Sequence, residues 1–274
     1  MTNPVHRPGY QRRDYHIVDY QEYELPGTGL MFRGPKPGSV EEGRQITCIG
    51  AAQTYGCLVE RPFPTIVGDV LQRPVRNLGY GGAGPRFFLE NRGLLDEANA
   101  SSAVVVQVMS GRSEDNRLFR SGGLEYLRRR SDGARLSASD AYGGLVGGYD
   151  PVTGQPSSRN MRRITSRLNR LKLRRVVAET KQSWVENTTR LLAMIEAPTV
   201  LLWFSTRSPA GYATRYRTVG ELFGEFPQLI TADMVAEARS AADVYVEVVN
   251  SDGLPQPLFS RFDGTRTTVD PTLD

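Results

Sequence analysis

Five short runs of apolar and β-branched residues recur along the chain, and they constrain its fold more than any other feature. They lie at residues 46–49 (ITCI), 75–78 (VRNL), 103–109 (AVVVQVM), 199–204 (TVLLWF) and 244–249 (VYVEVV). Stretches of helical character separate them, and these are 64–71, 86–99 with a break at Gly93, and 231–242 with Thr231 as N-cap. Strands that alternate with helices predict one parallel sheet with helices on both faces.

An insertion separates the third predicted strand from the fourth. Residues 121–157 are rich in Gly, Ser, Asp and Tyr, which predicts a long loop. Residues 158–197 contain neither Gly nor Pro and place apolar residues at helical spacing, which predicts one long helix or two with a short break. Residues 1–43 have no sustained periodicity. We therefore expect an extended N-terminal segment, 1–43, lying on a single α/β domain, 44–274.

The first part of the predicted helix, residues 158–175, is strongly basic. The stretch RNMRRITSRLNRLKLRR carries eight Lys and Arg residues and no acid. Three interpretations stay open: a solvated helix face, an arm for a protein partner or for self-association, and a nucleic-acid contact. We do not expect nucleic acid, because no aromatic residues are interleaved with the basic ones. The net charge of +4 permits an anionic partner without requiring one.

Composition narrows the class of protein. The 39% hydrophobic and 23% charged content is ordinary for a soluble globular protein. No run approaches the ~18 apolar residues of a membrane span, and the N-terminus has no apolar signal region. We therefore expect a cytoplasmic protein with no membrane contact, and the open alternative is export by a route that leaves no such signal. The two histidines are His6 and His16. With so few histidines and with scattered acids, we expect neither a metal site nor a cofactor. We interpret Cys48 as a buried strand residue, and Cys57 has no histidine base in this part of the chain.

Four segments of the chain resemble the SGNH/GDSL hydrolase superfamily over roughly residues 44–116 and 199–258. They are CIGAAQTYG, NLGYGGAGP, VVVQVMSGRS and NSDGLPQP. In that superfamily the corresponding blocks supply a serine nucleophile, a glycine amide and an asparagine for the oxyanion hole, and an Asp-x-x-His pair. The resemblance implies a three-layer, flavodoxin-like α/β fold, with a five-stranded parallel sheet and the long helical insertion 121–197 between the third and fourth strands. A longer pattern, which runs from FRGP at residues 32–35 through QVMSGRSE at residues 107–114, also resembles a protein group of alphaproteobacteria.

The catalytic residues of that superfamily are replaced in this chain. Ala52 stands at the serine, Arg112 at the asparagine, and Leu254 runs into Pro255 where the histidine would be. The positions that do fit are Gly50, Thr54, Gly79 or Gly81, Asp252 and Gly253. We therefore expect no catalytic residues and interpret the chain as a non-catalytic relative rather than an enzyme.

Ligands of parallel sheets bind beyond the carboxyl ends of the strands, and polar residues follow the predicted strands there. We predict that they bind a small anionic or carbohydrate ligand. The predicted residues are Gln53, Thr54, Tyr80, Arg86, Ser110, Arg112, Ser113, Glu114, Arg207 and Asp252. The three arginines are expected to converge on one anion, and the open alternative for each is an internal ion pair.

Three functions remain open at this point. The first is non-catalytic: binding of an anionic or carbohydrate ligand, or service as an assembly module. The second is a transferase in polysaccharide metabolism, in which the arginines hold a sulfuryl, phosphoryl or carboxylate donor and Glu114 or Asp252 is the base. The third is an unconventional hydrolase that uses Ser110 or Ser113 beside an acid. Arginines held in salt bridges would favour the assembly module.

Overall fold

The structure is a computed structural model that describes residues 14–36, 38, 43–146, 167–252 and 254–267. In chain order its strands are β1 (Tyr23–Leu25), β2 (Leu30–Phe32), β3 (Ile46–Gly50), β4 (Val75–Gly79), β5 (Ala103–Gln107), β6 (Phe119–Ser121), β7 (Tyr126–Arg129), β8 (Arg135–Ser137), β9 (Thr199–Ser205), β10 (Val244–Val249), β11 (Leu258–Phe259) and β12 (Arg266–Thr267). Its α-helices are α1 (Ala52–Tyr55), α2 (Phe63–Leu71), α3 (Pro85–Glu90), α4 (Arg92–Asn99), α5 (Ala138–Val146), α6 (Arg167–Met194), α7 (Val219–Phe223) and α8 (Ala232–Arg239).

The five predicted strands form one parallel sheet in the spatial order β10-β9-β5-β3-β4. This is the flavodoxin-like order, and its direction reverses between β3 and β5. The predicted fold class, a three-layer α/β fold with a five-stranded parallel sheet, is confirmed. The strand bounds agree closely, except that β5 ends at Gln107 instead of residue 109. The difference matters for the site, because Gln107 is the last residue of a strand beside the reversal.

The main core lies on the sheet face that α3, α4, α6 and α8 cover. Leu78, Ile49, Val106 and Leu201 lie side by side across β4, β3, β5 and β9, and all four are fully buried. Ile49 and Val106 are β-branched, and such side chains pack well on the pleated surface of a buried sheet. This preference is why these runs form strands. Burial of this face supplies most of the apolar contact that holds the sheet in place.

The opposite sheet face is covered at one end only. In the described part of the chain, α1 and α2 pack beside β4, whereas the far end has no helix over it. Exposure rises along one row of paired residues: Cys48 is fully buried, Val105 and Val200 are half-buried, and Val244 is 49% exposed. We call the exposed part of this surface the open face, formed by Val200, Leu202, Phe204, Val244, Val246 and Val248.

The predicted loop 121–157 proves to be structured over its described part, which ends at residue 146. Strands β6, β7 and β8 form a small antiparallel sheet, and α5 follows directly. Phe119, Leu127 and Tyr142 are buried in a second core there. The prediction of a loop was wrong because it followed the Gly and Ser content of the stretch. Each strand is so short that its alternation of apolar and polar residues does not stand out in the sequence. Residues 147–157 lie outside the described part.

The predicted long helix is present as α6 over Arg167–Met194, and the predicted residues 158–166 lie outside the described part. Its apolar side chains belong to both cores. Leu173 and Val176 pack in the second core, whereas Trp184 and Leu191 pack in the main core. The insertion is therefore joined to the sheet by a shared helix.

Within the described residues, no helix has the length and apolar character needed to cross a bilayer.

The N-terminal segment was expected to be extended, and its described residues correct that expectation. Strands β1 and β2 form an antiparallel hairpin, and Leu25 and Phe32 are fully buried in the main core.

Two smaller predictions, both about helix ends, can also be compared with the structure. The helical stretch 86–99 breaks at Asn91 and not at Gly93. Thr231 does cap α8, since its hydroxyl accepts from the Met234 N–H at 3.4 Å.

Candidate functional site

The side chain of Gln107 lies at the end of β5, between β5 and β3, where the strand order of the sheet reverses. Its side-chain oxygen accepts from the hydroxyl of Thr54 at 2.7 Å and from the N–H of Ala51 at 3.2 Å. Its amide nitrogen donates to the side-chain oxygen of Gln53 at 3.4 Å. Gln107 is fully buried, so the crevice between β3 and β5 is closed by protein groups instead of being open to a ligand.

Two glycines allow α1 to approach the ends of the strands. A Cβ on Gly50 would lie 2.1 Å from the Thr54 hydroxyl, and one on Gly79 would lie 2.1 Å from the backbone nitrogen of Tyr55. The close approach also lets the Asn77 amide donate to the Thr54 carbonyl at 2.8 Å. These contacts turn α1 back over the sheet and place Ala52 and Gln53 at its carboxyl edge.

A cavity of about 520 Å³ lies at this edge, over the ends of β3, β9 and β10. We call it the edge cavity. It is lined by Ala52, Gln53, Gly56, Cys57, Val59, Phe204, Ser205, Thr206, Phe226, Asn250, Asp252, Leu254 and Gln256. Among these lining residues Asp252 is the one with a formal charge at neutral pH, and apolar atoms make up most of the lining surface.

Some polar groups of the edge cavity are engaged by the protein itself. The Ser205 hydroxyl donates to the Phe226 carbonyl at 2.6 Å, and the Thr206 hydroxyl donates to Glu225 at 3.0 Å. The described contacts of Asn250 and Asp252 are with each other: the Asp252 N–H donates to the Asn250 side-chain oxygen at 2.8 Å. The Asp252 carboxylate and the Asn250 amide nitrogen thus remain available beside two half-buried phenyl rings.

Of the predicted site residues, Gln53 and Asp252 line the edge cavity together. Thr54 lies beneath it, buried against Gln107. Tyr80 is in the main core, stacked on Phe87 with ring centroids 4.6 Å apart, and burial raises its pKa to about 12. Its apolar surroundings make it a packing residue.

The predicted arginines do not gather around one point. Arg86 pairs with Glu90 at 2.6 Å and with Asp115 at 2.5 Å. Arg112 pairs with Glu125 at 3.2 Å, across a partly exposed contact. The open alternative, an internal ion pair, therefore describes the contacts of both side chains.

Arg207 is held by backbone carbonyls instead of by an acid. It donates to the carbonyls of Pro227 at 2.6 Å, Ile230 at 3.0 Å, Ser208 at 3.2 Å and Glu225 at 3.3 Å. Its guanidinium carbon also lies 5.0 Å from the centroid of the Trp203 ring. These contacts fix the segment 225–230 against the end of β9, and they occupy the planar fork expected to bind an anion.

Ser110, Ser113 and Glu114 follow β5 but point to different partners. The Ser110 oxygen accepts from the Arg112 N–H at 3.3 Å, and the Ser113 hydroxyl donates to the Glu125 carbonyl at 2.9 Å. Glu114 is 1% exposed and accepts from the amide of Asn187 at 2.8 Å. Burial raises the pKa of Glu114 to about 8, against the opposing effect of Asn187.

Sequence reasoning missed several residues of this region. They are Gln107, Phe204, Phe226, Asn250 and Gln256. Gln107 stands inside the run AVVVQVM, where a polar residue among buried apolar ones signals a hydrogen-bonded position. Asn250 directly follows a strand and was therefore detectable by the rule that placed Asp252. Phe226 and Gln256 come from loops, and no local pattern marked them.

A second cavity, of about 510 Å³, gathers basic residues that were not predicted as a site. We call it the basic cavity. Its lining is Arg170, Arg174, Thr214, Arg215, Tyr216, Arg217 and Glu221. Two of its arginines lie four residues apart on α6, within the basic stretch 158–175. The N–H of Arg217 donates to Glu221 at 2.6 Å. Within the described residues, Arg174 and Arg215 form no ion pair.

The described residues contain no cluster of three or more His, Cys, Asp or Glu side chains that could hold a metal ion. Fold and site thus define a three-layer α/β protein with a flavodoxin-like sheet, a closed strand reversal and, at the carboxyl edge, a largely apolar cavity that holds a few polar groups. The chain belongs to a family described as a domain of unknown function, DUF6473, whose family model matches residues 9–147 and 152–262. No curated protein matches the sequence.

One solved structure that resembles the chain is described as a gut microbial diltiazem-metabolizing enzyme. The TM-score is 0.36 and the sequence identity is 10%. The match covers 76% of this chain and 37% of the enzyme, so the chain spans well under half of the enzyme's length. A likeness this distant carries no inference about activity.

Proposed function

We propose that the protein is a non-catalytic binding protein that holds a small, neutral, polyhydroxylated ligand in the edge cavity. The observation that carries this proposal is the lining itself: the Asp252 carboxylate and the side-chain amides of Gln53 and Asn250 beside the rings of Phe204 and Phe226. Amides and carboxylates bind hydroxyl groups, and phenyl rings pack against C–H faces. A carbohydrate offers both kinds of surface.

The charge of the cavity favours a neutral ligand over an anion. None of the residues that line it is Lys, Arg or His, and Asp252 would repel an anionic group. The anionic alternative expected from sequence therefore has less support at this edge than the carbohydrate alternative.

Catalysis lacks support at the same place. Ala52 lines the cavity where the resembled hydrolases carry their serine, and Gln107 occupies the strand reversal behind it. The transferase hypothesis needs three arginines around one donor, but each has its own contacts. The hydrolase hypothesis needs an acid beside Ser110 or Ser113, and their described hydrogen bonds go elsewhere.

The experiment is a thermal-shift screen with neutral mono- and disaccharides, followed by calorimetric titration of any that raise the melting temperature. Gln53→Ala and Asp252→Asn should weaken binding by about 1.5–3 kcal/mol if each contributes a charged or buried hydrogen bond. Asp233→Asn, at an exposed site on α8, is the matched control and should bind as the wild type does. Equal affinity in all four proteins would contradict the proposal.

A second binding function, for a phosphate-like anion, is supported by the basic cavity. It brings four arginines and one acid around a single space, and Arg174 and Arg215 have no acidic partner among the described residues. An anion would relieve the repulsion between these charges and could bind to two planar forks at once. In this proposal the anionic ligand expected from sequence binds at residues other than those predicted.

Calorimetric titration with inorganic phosphate and pyrophosphate at low salt tests this second function. Arg174→Ala and Arg215→Ala should each reduce affinity by about 1.5–3 kcal/mol, and the pair should abolish the signal. Arg128→Ala, an exposed arginine on β7, is the control. No heat with either anion in the wild type would reject the site.

A further inference from the structure

Strand β10 lies at the edge of the sheet, and one of its sides pairs with no strand in the described part of the chain. Its inner side pairs with β9 from Val244 to Val249, and the N–H of Asn250 continues this side by donating to Ser205 at 3.1 Å. Successive N–H groups of a strand point to opposite sides. The N–H and C=O groups of Tyr245, Glu247 and Val249 therefore point away from β9, in the plane of the sheet and toward its free edge.

This edge has few of the usual features that prevent strand pairing, and Glu247 is the one charged residue on the strand. The sequence VYVEVV contains no Lys and no Pro, and it is long for an edge strand. Val244, Val246 and Val248 are 49%, 38% and 38% exposed, and they adjoin the half-buried Leu202 and Phe204 of the open face. A long apolar edge of this kind is typical of a surface that pairs with another strand.

We propose that this edge binds a second copy of the chain, with the two β10 strands antiparallel about a two-fold axis at Val246. The faces of the sheet restrict the register to shifts of two residues, because Val244, Val246 and Val248 share one face. Two such registers overlap the two β10 strands equally, and the one centred on Glu247 would place two carboxylates directly opposite each other. The register centred on Val246 avoids this, and it places Val246 opposite Val246 of the second copy and Val244 opposite its Val248. The result is one continuous sheet of ten strands.

The backbone pattern agrees with this register. Tyr245 then lies opposite Glu247 of the second copy, and both residues have outward N–H and C=O groups, so they exchange two hydrogen bonds. The two Val246 residues form a non-hydrogen-bonded pair, in which the side chains approach most closely. Any one-residue shift would place valines against the opposite face.

The charges at the edge are complementary in this register. Arg239 lies over the ring of Tyr245, with its guanidinium carbon 5.6 Å from the ring centroid. Within one copy the Tyr245 hydroxyl donates to Glu247 at 3.0 Å. Pairing places Glu247 of the second copy directly opposite Tyr245, so that an Arg239 and a Glu247 from different copies flank each of two equivalent rings. No like charges lie directly opposite each other along the strand. These contacts favour a second copy over an unrelated partner.

The helix 158–197 was the segment from which self-association was expected. Most of its described apolar residues are buried within the protein, among them Leu173, Val176, Trp184 and Leu191. Leu171 and Met194 are 50% and 38% exposed, but they lie near opposite ends of α6, whereas the exposed valines of β10 are neighbours on one face of the sheet.

The first experiment measures molar mass by light scattering over a concentration series. The wild type should reach twice the chain mass of 30.4 kDa. Val246→Lys should remain a monomer with an unchanged circular dichroism spectrum. Val70→Lys introduces the same change at a 74% exposed valine on α2, beside the other end of the sheet, and should dimerise as the wild type does. A monomeric wild type, or a dimer that survives Val246→Lys, would overturn the proposal.

The second experiment tests the register through a disulfide, in a Cys57→Ser background that leaves only the buried Cys48. Oxidised glutathione should link two copies of Val246→Cys, since residues in such a pair have Cα atoms about 4.5 Å apart. Val248→Cys is the matched control, because two such residues would be about 13 Å apart along the strands. Equal linking of both variants, or linking of Val248→Cys alone, would show that the register is wrong.

Discussion

The side-chain oxygen of Gln107 lies 2.7 Å from the hydroxyl of Thr54, and this hydrogen bond closes the sheet at the reversal of its strand order. The same oxygen also accepts from the N–H of Ala51. One amide thereby satisfies two buried donors between β3 and β5. The position at which related folds admit a ligand is thus a structural element in this protein.

Gln107→Ala should destabilise the fold by about 2–4 kcal/mol, because it leaves two buried donors without an acceptor. Gln53→Ala should cost much less, since Gln53 is half-buried and its contact with Gln107 is long, at 3.4 Å. Urea unfolding of both variants measures the difference. Similar midpoints for the two would mean that the hydrogen bonds of Gln107 contribute little.

Arg207→Ala should cost several times more stability than Arg112→Ala. Removing Arg207 takes a donor from four carbonyl groups, and those of Glu225 and Ile230 lose the only donor described for them, at a cost of about 1–3 kcal/mol for each one that is buried. The carbonyls of Pro227 and Ser208 keep a backbone N–H donor. Removing Arg112 breaks a partly exposed ion pair, which contributes at most about 1 kcal/mol. Chemical denaturation compares them directly, and an equal loss for both would contradict the structural role of Arg207.

Glu114→Gln should change how stability depends on pH. In the folded protein the pKa of Glu114 is about 8, well above its ordinary value, so folding favours the protonated carboxyl. This contribution is fully present below the unfolded pKa and is lost as pH rises through the folded pKa. The variant, which cannot ionise there, should therefore gain melting temperature relative to the wild type between pH 5 and pH 9. A constant difference across that range would mean that Glu114 is not held protonated.

Gly79→Ala should prevent normal folding. Its Cβ would lie 2.1 Å from the backbone nitrogen of Tyr55, and backbone cannot move aside as a flexible side chain can. Gly144→Ala is the opposite case, because a Cβ there meets nothing within 4 Å and the residue lies within α5. It should stabilise the protein by up to about 1 kcal/mol. Circular dichroism should show no cooperative melt for Gly79→Ala, and for Gly144→Ala a melting temperature at or above that of the wild type. A wild-type melt for Gly79→Ala would contradict the close approach of α1.

Ala52→Ser should not produce an esterase. The new hydroxyl would stand in the edge cavity, but both histidines of the chain precede residue 17, and no histidine lines the cavity to act as base. Hydrolysis of short-chain nitrophenyl esters should stay at the buffer rate in the wild type and in the variant. Turnover that appears with the serine would show that a base is present after all.

The sheet could be predicted from sequence because each strand carries its own signal. Val104, Val105 and Val106 favour a strand wherever they stand, and the helices between such runs leave few topologies. The partners of Arg207 carry no such signal. They lie on a loop about twenty residues further along the chain, and the sequence gives no measure of how that loop turns back.

Gln53 and Asp252 line the same cavity at the sheet edge, where the ends of strands in a parallel sheet meet. Their role as ligand contacts stays a prediction. The expected convergence of Arg86 with Arg112 failed for a different reason. Asp115 and Glu125, which engage them, lie in or beside the stretch interpreted as loop, and a loop prediction assigns no direction to its side chains.

The shared helix α6 has a consequence for synthesis of the chain. The indole of Trp184 donates to the carbonyl of Met109, 75 residues earlier, so the cover for β5 is made long after the strand itself. At about 5–20 residues per second, translation needs roughly 4–15 s to bridge that interval. During this time the nascent chain exposes an apolar strand without its helix, and transiently exposed surface of this kind is what chaperones bind.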